Sequence, residues 1–210
     1  MVLALLFVQI SAAVSLVATL AGFLVGLERR RRSTRAVRVL VRKHPPRWTE
    51  VAWILGTFVA VFWPIGIFLL PTYAYHWPAF PDFPGSWIVQ LFGVPLGIAG
   101  GMLFSRAARA LGTQMTPAIQ VQEGHQLLRT GPYRLIRHPV YTAIIAIALG
   151  QALLFLSAPA VLLALILFGL AEYRARLEED LLRSPEAFGP TYDAYMTRTG
   201  RFLPRLRSKS

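Results

Sequence analysis

The chain contains no cysteine, and few of its residues carry a charge. Without cysteine there is no disulfide, no thiolate nucleophile and no cysteine-ligated zinc or iron–sulfur cluster, and we predict no bound metal. Charged side chains make up 15% of the 210 residues, whereas apolar side chains make up 55%. This balance is too apolar for an ordinary soluble domain and indicates an integral membrane protein.

Common nucleotide-binding and hydrolase motifs are also missing. The chain has no glycine-rich dinucleotide loop after a strand, no phosphate-binding P-loop, no HExxH zinc motif and no GxSxG nucleophile motif. The glycine-rich sequence "GIAGG" (97–101) lies inside an apolar run and cannot form such a loop. The remaining candidate for a functional site is a concentration of polar residues that flanks the last two apolar runs, 140–156 and 159–171.

Negative charge is scarce, with 10 acidic against 22 basic residues and a net charge of +12. The basic residues are confined to 29–47, 106–137 and 174–209, and the aromatic tract 71–85 has none. The positive-inside rule therefore predicts that the basic segments and the C-terminus are cytoplasmic, with the aromatic tract and the N-terminus outside. We predict membrane lipids and no nucleic acid as partners, because orientation and anionic lipid explain the charge. The Arg-, Ala- and Leu-rich composition favours a bacterial inner membrane.

The apolar runs predict an all-α integral membrane protein with about five transmembrane helices. The last two runs are short and are separated only by "LSAP", so we expect them to form a short antiparallel helical hairpin. We predict an N-terminal part, 1–104, with three transmembrane helices and a basic cytoplasmic loop at 28–50. The remaining part, 105–210, holds the hairpin 140–171 and a cytoplasmic C-terminal cap. The five runs are 2–27, 51–70, 86–104, 140–156 and 159–171.

The hairpin brings two charged segments to one membrane interface. The segment "RTGPYRLIRHPVY" (129–141) leads into the first arm, and "EYRARLEED" (172–180) follows the second. Because the two arms are antiparallel and close in length, their outer ends lie side by side. Charge on both sides of a short apolar hairpin is typical of a site for a molecule with a charged head group and an apolar tail.

Each of these features also has a purely structural interpretation. An isolated interfacial histidine such as His125 or His138 is commonly solvated or bonded to the backbone, and 172–180 can be a salt-bridged helix leaving the membrane. The aromatic and basic tail 187–204 can lie on the membrane surface or form a wall over a pocket. We interpret the arginines of 129–141 mainly as determinants of topology and as lipid contacts.

Taken together, four segments resemble a known family. They are "VQEGHQLLRTGPYRLIRHPVY" (121–141), the hairpin, "EYRARLEED" and "FGPTYDAYMTRTGRFLP" (188–204). Their order resembles the C-terminal region of the isoprenylcysteine carboxyl methyltransferase family and its phospholipid methyltransferase relatives. The resemblance implies a membrane helix bundle whose cytoplasmic cap binds S-adenosyl-L-methionine and releases S-adenosyl-L-homocysteine. It also implies a lipophilic or lipidated substrate that enters from the bilayer.

The resemblance further implies roles for individual residues. Arg174 would orient the substrate head group, and Glu178 or Glu179 would bind the cofactor or act on the substrate, so these three are the catalytic candidates. The aromatic faces of tyrosines suit a sulfonium cation, and a carboxylate suits ribose hydroxyls or an amino group. The cofactor-binding candidates are His125, Gln126, Leu127, Leu128, Tyr133, His138, Pro139, Val140, Tyr141 and Glu178.

The predicted activity is methyl transfer to a lipophilic membrane substrate, most like isoprenylcysteine carboxyl O-methylation. Three acceptors remain open. A carboxylate needs no base, a lipid amine would use Glu178 or Glu179 as general base, and a small thiol is the third alternative. Two other classes also remain, an NADPH-dependent relative of membrane sterol reductases and a non-catalytic membrane scaffold.

Overall fold

The computed structural model describes residues 5–32, 38–70 and 83–205, and these residues are mostly helical. The aromatic tract 71–85 falls almost entirely outside the described residues, as does His76. The prediction of an all-α integral membrane protein is confirmed, with one small ribbon of two strands added to it. The helices are α1 (Leu5–Arg32), α2 (Arg47–Leu69), α3 (Ser86–Leu111), α4 (Pro139–Phe155), α5 (Ala158–Leu182) and α6 (Pro190–Arg198), and the strands are β1 (Val39–Arg42) and β2 (Gln120–Gln122).

Among the described residues, four helices are long and apolar enough to cross a membrane, namely α1, α2, α3 and α5. Helix α4 is equally apolar but has only 17 residues, about 25 Å at 1.5 Å per residue. The predicted run of 86–104 continues to Leu111, and α2 continues past Pro64 without ending. Within the described ranges, the bundle therefore contains four full-length helices and one shorter helix.

Helices α3 and α4 approach each other closely because glycines line their contact. A side chain added at Gly150 would place its Cβ 2.5 Å from the backbone nitrogen of Gly97, and one added at Gly93 would lie 2.6 Å from the carbonyl oxygen of Gly150. In lipid, such small residues allow backbones to pack and gain van der Waals contact that apolar solvent does not otherwise supply. The first arm of the hairpin is thereby fixed against the N-terminal bundle.

The predicted hairpin is confirmed. Helix α4 ends at Phe155, and the next residue, Leu156, adopts a left-handed conformation with a φ of 48°. The Ser157 hydroxyl accepts the backbone N–H of Ala160 at 3.4 Å and caps the start of α5. Helix α5 then continues through the whole charged segment 172–180 to Leu182. The outer ends of both arms therefore lie at the same end of the bundle.

The ribbon of β1 and β2 was not predicted. The strands are antiparallel, with Val41 opposite Val121 and Arg42 opposite Gln120. With four and three residues, they are too short for an alternating pattern to show, and 77 residues separate their ends. The ribbon connects the basic segment before α2 to the segment that follows α3.

The segment 187–204 is folded against the hairpin mouth and is not a simple surface tail. Tyr192 and Tyr195 of α6 are buried, and the Tyr195 hydroxyl donates to the carbonyl oxygen of Tyr133 at 2.6 Å. Beyond α6, the backbone N–H of His138 donates to the carbonyl oxygen of Arg201 at 3.1 Å. We refer to residues 112–138 and 183–205 as the cap.

Candidate active site

A cavity of about 520 Å³ lies where the bundle meets the cap. This volume is within the usual range for a small-molecule site, roughly 300–1,000 Å³. Its polar groups are concentrated at the hairpin mouth, and most of the remaining wall is aliphatic or aromatic. The wall near the mouth includes Trp53, Tyr133, Arg137, His138, Tyr141, Arg174 and Glu178, and the apolar wall includes Leu20, Ile54, Phe58, Val61, Phe62 and Phe104.

Arg174 is the most unusual residue of this cavity. Its side chain belongs to α5 and is only 2% exposed. The guanidinium donates through Nη2 to the carbonyl oxygen of Pro117 at 2.5 Å, whereas its buried Nε has no hydrogen-bond partner among the described residues. No carboxylate of the described chain lies within 4 Å of it as an ion pair. Glu178 attracts this cation only from beyond ion-pair distance, so the free donor of the guanidinium is available to an anionic ligand.

Glu178 lies one helical turn further along α5 and also lines the cavity. Its Oε2 accepts a hydrogen bond from the Tyr141 hydroxyl at 3.0 Å and lies 3.5 Å from Nδ1 of His138. Its side chain remains 35% exposed, so one face of the carboxylate is open to a ligand. The sequence-based expectation that 129–141 and 172–180 face each other is confirmed by these contacts.

Glu179 points away from the cavity into a network of cations. Its Oε1 accepts from Nε of Arg137 at 2.8 Å, and its Oε2 accepts from Nη2 of Arg201 at 2.6 Å. Arg137 also donates to the carbonyl oxygen of Thr199, and Arg201 pairs with Glu172 at 2.6 Å. The Glu179 side chain is 4% exposed. These contacts tie the last cap segment to α5.

Arg137 therefore corrects one sequence-based interpretation. We interpreted the arginines of 129–141 mainly as topology and lipid contacts, but the Arg137 side chain is only 9% exposed. Its Nη1 donates to the carbonyl oxygen of Met196 at 3.3 Å in addition to its pair with Glu179. The tertiary pairing of a buried carboxylate outweighs any preference of this arginine for the lipid interface.

His138 bridges the two glutamates. Its Nε2 lies 3.2 Å from Oε1 of Glu179, and its ring stacks on Tyr141 with centroids 5.4 Å apart. Burial by itself lowers the pKa of His138, but the hydrogen bonds and negative charges of Glu178 and Glu179 together outweigh burial and raise that pKa. The site therefore favours an imidazolium that donates to both carboxylates.

Most of the predicted cofactor residues near the hairpin mouth lie together, but the segment 125–128 does not line the cavity. Tyr133, His138, Val140, Tyr141 and Glu178 line it, and Pro139 is buried at the start of α4. The His125 ring instead packs edge-on against Phe188 with centroids 5.8 Å apart, while its Nδ1 is buried without a partner among the described residues. Burial lowers the pKa of His125, and the charge of Glu178 opposes that shift.

The other members of that segment form part of the cap. The backbone N–H of Gln126 donates to the side-chain oxygen of Gln114 at 2.7 Å, and Leu127 and Leu128 are partly buried. Their predicted contact with a cofactor stays a prediction. Trp53, by contrast, lines the cavity although sequence reasoning did not select it, because nothing in an apolar helix distinguishes it from the other tryptophans.

Comparison with known proteins agrees with the geometry. The model of the isoprenylcysteine carboxyl methyltransferase (ICMT) family matches residues 93–184. A rice (Oryza sativa subsp. indica) protein named probable protein-S-isoprenylcysteine O-methyltransferase is 30% identical over 128 residues, which are 60% of this chain and 66% of the rice protein. Protein-S-isoprenylcysteine O-methyltransferase B of Arabidopsis thaliana is 28% identical over 128 residues, 60% of this chain and 64% of that protein. The matched region thus spans about two thirds of these relatives.

Fold and site define an integral membrane protein with a charged binding site at the end of an apolar cavity. Over residues 93–184 the chain is similar to the isoprenylcysteine carboxyl methyltransferase family, and the relatives it resembles are named as O-methyltransferases.

Proposed function

We propose that this protein transfers a methyl group from S-adenosyl-L-methionine to the carboxylate of a lipophilic, prenylcysteine-like substrate. The observation that carries this proposal is Arg174, a buried cation in the wall of a largely apolar cavity whose hydrogen-bond acceptor is a neutral carbonyl oxygen. A guanidinium binds a carboxylate with two parallel donors, and the apolar wall suits an isoprenoid tail. The names of the rice and Arabidopsis relatives support this substrate class.

The residues of the cavity fit the cofactor that the family implies. S-adenosyl-L-methionine, when bound, supplies an electrophilic methyl group on a positively charged sulfur. The tyrosine rings of Tyr133 and Tyr141 present π-faces that favour such a cation, and the open face of the Glu178 carboxylate can hold an amino group or ribose hydroxyls. His138 would orient Glu178 through Nδ1. We further propose that the protein is oriented with its cap in the cytoplasm, where this cofactor is made available.

The protein then has to align the acceptor with the methyl donor and exclude water from the reacting atoms. A carboxylate acceptor is ionised at neutral pH, because its usual pKa is near 4, so no side chain has to remove a proton. Arg174 would fix the acceptor oxygen in line with the donor, and holding two reactants in this way contributes much of the rate. The apolar wall keeps water from the reacting atoms.

An amine acceptor is the second candidate, and the environment of Glu178 argues against it. A lipid amine must lose a proton, and Glu178 is the carboxylate that lines the cavity. Its Oε2 already accepts from Tyr141 and faces His138, so these contacts favour its role in binding over proton removal. A cationic head group would also be repelled by the buried Arg174.

Calorimetric measurement of ligand binding to the protein in detergent distinguishes a methyltransferase from a reductase and from a non-catalytic scaffold. We expect S-adenosyl-L-homocysteine to bind and NADPH not to bind. Binding of NADPH alone would indicate a reductase, and binding of neither would indicate a scaffold. His138→Ala and Glu178→Ala should each weaken S-adenosyl-L-homocysteine binding by roughly 10- to 100-fold, since each removes a charged hydrogen-bonding group.

Arg174→Gln tests the division of roles. We expect nearly unchanged binding of S-adenosyl-L-homocysteine and a large loss of turnover. Arg176→Gln is the matched control, because Arg176 lies two residues further on, pairs with Glu172 at 2.9 Å and is 68% exposed. If Arg174→Gln abolished cofactor binding while Arg176→Gln did not, Arg174 would belong to the cofactor site and the assigned roles would be wrong.

A further inference from the structure

Trp53 of α2 lies against the side chain on which the proposed function rests. The Cζ atom of Arg174 is 5.7 Å from the centroid of the Trp53 ring. We infer that Trp53 is a positioning residue for the methyl acceptor, one that holds the Arg174 guanidinium by its indole face without neutralising it. This inference rests on the proposed function and deepens it, because it explains how the site selects an anionic acceptor.

The indole is itself held firmly. Trp53 is only 6% exposed, and its ring meets that of Tyr141 edge to face, with centroids 5.0 Å apart and an angle of 78° between the planes. Edge-to-face packing of this kind is a favoured geometry for aromatic pairs. Tyr141 thus fixes the orientation of the indole, while Tyr141 itself is held separately by its hydrogen bond to Glu178 and by stacking on His138.

The group that contacts Arg174 in the protein determines whether its guanidinium can bind an acceptor carboxylate. If a carboxylate held Arg174, an acceptor carboxylate would have to displace it. A carbonyl oxygen from Pro117 and an aromatic face stabilise the cation, and the Glu178 carboxylate attracts it from beyond ion-pair distance without holding it. The buried Nε, which has no partner among the described residues, is consistent with a donor reserved for a ligand. The indole thus helps to stabilise a buried cation that forms no ion pair within 4 Å among the described residues.

Through Trp53, helix α2 of the N-terminal part also has a role in the proposed reaction. The family model begins at residue 93, whereas α2 ends at Leu69. Helix α2 lines the cavity with Ile54 and Phe58 as well, residues that follow Trp53 on the same helix. We conclude that the part of the chain outside the family match supplies a determinant of acceptor specificity and not only a membrane anchor.

Steady-state kinetics with both substrates varied test this inference. Trp53→Leu removes the π-face, and we expect the KM for a prenylcysteine to rise about tenfold while the KM for S-adenosyl-L-methionine changes less than twofold. Trp53→Phe keeps a smaller face and should lie between Trp53→Leu and the wild type. Trp48→Leu is the control, because Trp48 is on the same helix but 68% exposed. An unchanged KM for the prenylcysteine in Trp53→Leu, or an equal rise in both KM values, would overturn the inference.

Tryptophan fluorescence gives a second measurement that does not need turnover. A prenylcysteine with a free carboxylate should change the emission of the wild type and of Trp48→Leu, whereas its methyl ester should not. The change should disappear in Trp53→Phe, which also covers the case in which Trp53→Leu does not fold. A change that persists in Trp53→Phe would overturn the role of Trp53. If the acid binds with this signal but is never methylated, the proposed function fails and the placement of Trp53 stands.

Discussion

The ion pairs around Glu179 predict a large loss of thermal stability when its charge is removed. Glu179→Gln keeps the size of the side chain but removes the charge that Arg137, His138 and Arg201 share. The Arg137 and His138 side chains are 9% and 4% exposed, so Arg137 would be left as a buried donor without an anion and His138 would keep only its contact with Glu178. The cap segment that carries Arg201 would also lose one of its two ion pairs with α5 and keep the pair with Glu172.

The magnitude follows from burial. Removing one partner of a buried ion pair costs about 3–5 kcal/mol. We take the low end, about 3 kcal/mol, because glutamine retains one acceptor oxygen and because Arg201, at 30% exposed, is partly solvated. For a chain of this size each kcal/mol shifts Tm by roughly 2–4 °C, which predicts a fall of roughly 6–12 °C.

Thermal unfolding in one detergent at one scan rate measures this fall. Asp180→Asn is the matched control at the next position, since Asp180 pairs with Lys43 at 3.6 Å and both side chains are well exposed. An exposed pair contributes at most about 1 kcal/mol, so its Tm should change by less than about 4 °C. Equal small shifts in the two variants would refute the argument that a buried network holds the cap.

Two further predictions concern protonation and packing. The raised pKa of His138 means that its stabilising contacts are complete below about pH 6.5 and are lost as the pH rises through the raised value. The Tm of the wild type should therefore fall across that range relative to His138→Gln, and parallel profiles would count against an imidazolium. Gly150→Ala should lower Tm by several degrees because its Cβ meets the backbone of Gly97, whereas Gly169→Ala, with open space around it, should not. Comparable Tm values for the two glycine variants would contradict the close contact of α3 and α4.

The helices and the hairpin could be predicted from sequence because they depend on local composition. Apolar runs give the length of each crossing, and a connection as short as "LSAP" leaves only an antiparallel arrangement. From that arrangement the proximity of His138 to Glu178 follows directly. The family resemblance added the kind of chemistry, which composition alone does not contain.

What could not be predicted depends on contacts between distant segments. No pattern distinguishes Glu178 from Glu179, yet the first faces the cavity and the second faces Arg137 and Arg201, because neighbouring residues on a helix point about 100° apart. The burial of Arg137 and the role of Trp53 likewise arise only when α2, α5 and the cap pack together.

Transfer of a labelled methyl group tests the central claim most directly. Purified protein, S-adenosyl-L-methionine labelled in its methyl group and a prenylcysteine should give a labelled lipophilic product whose label is released as methanol by mild alkali, as expected for a methyl ester. Arg174→Gln should lose most of this transfer, and Arg176→Gln should keep it. Label that resists alkali and appears only with an amine or thiol acceptor, or no transfer to any acceptor, would contradict the account.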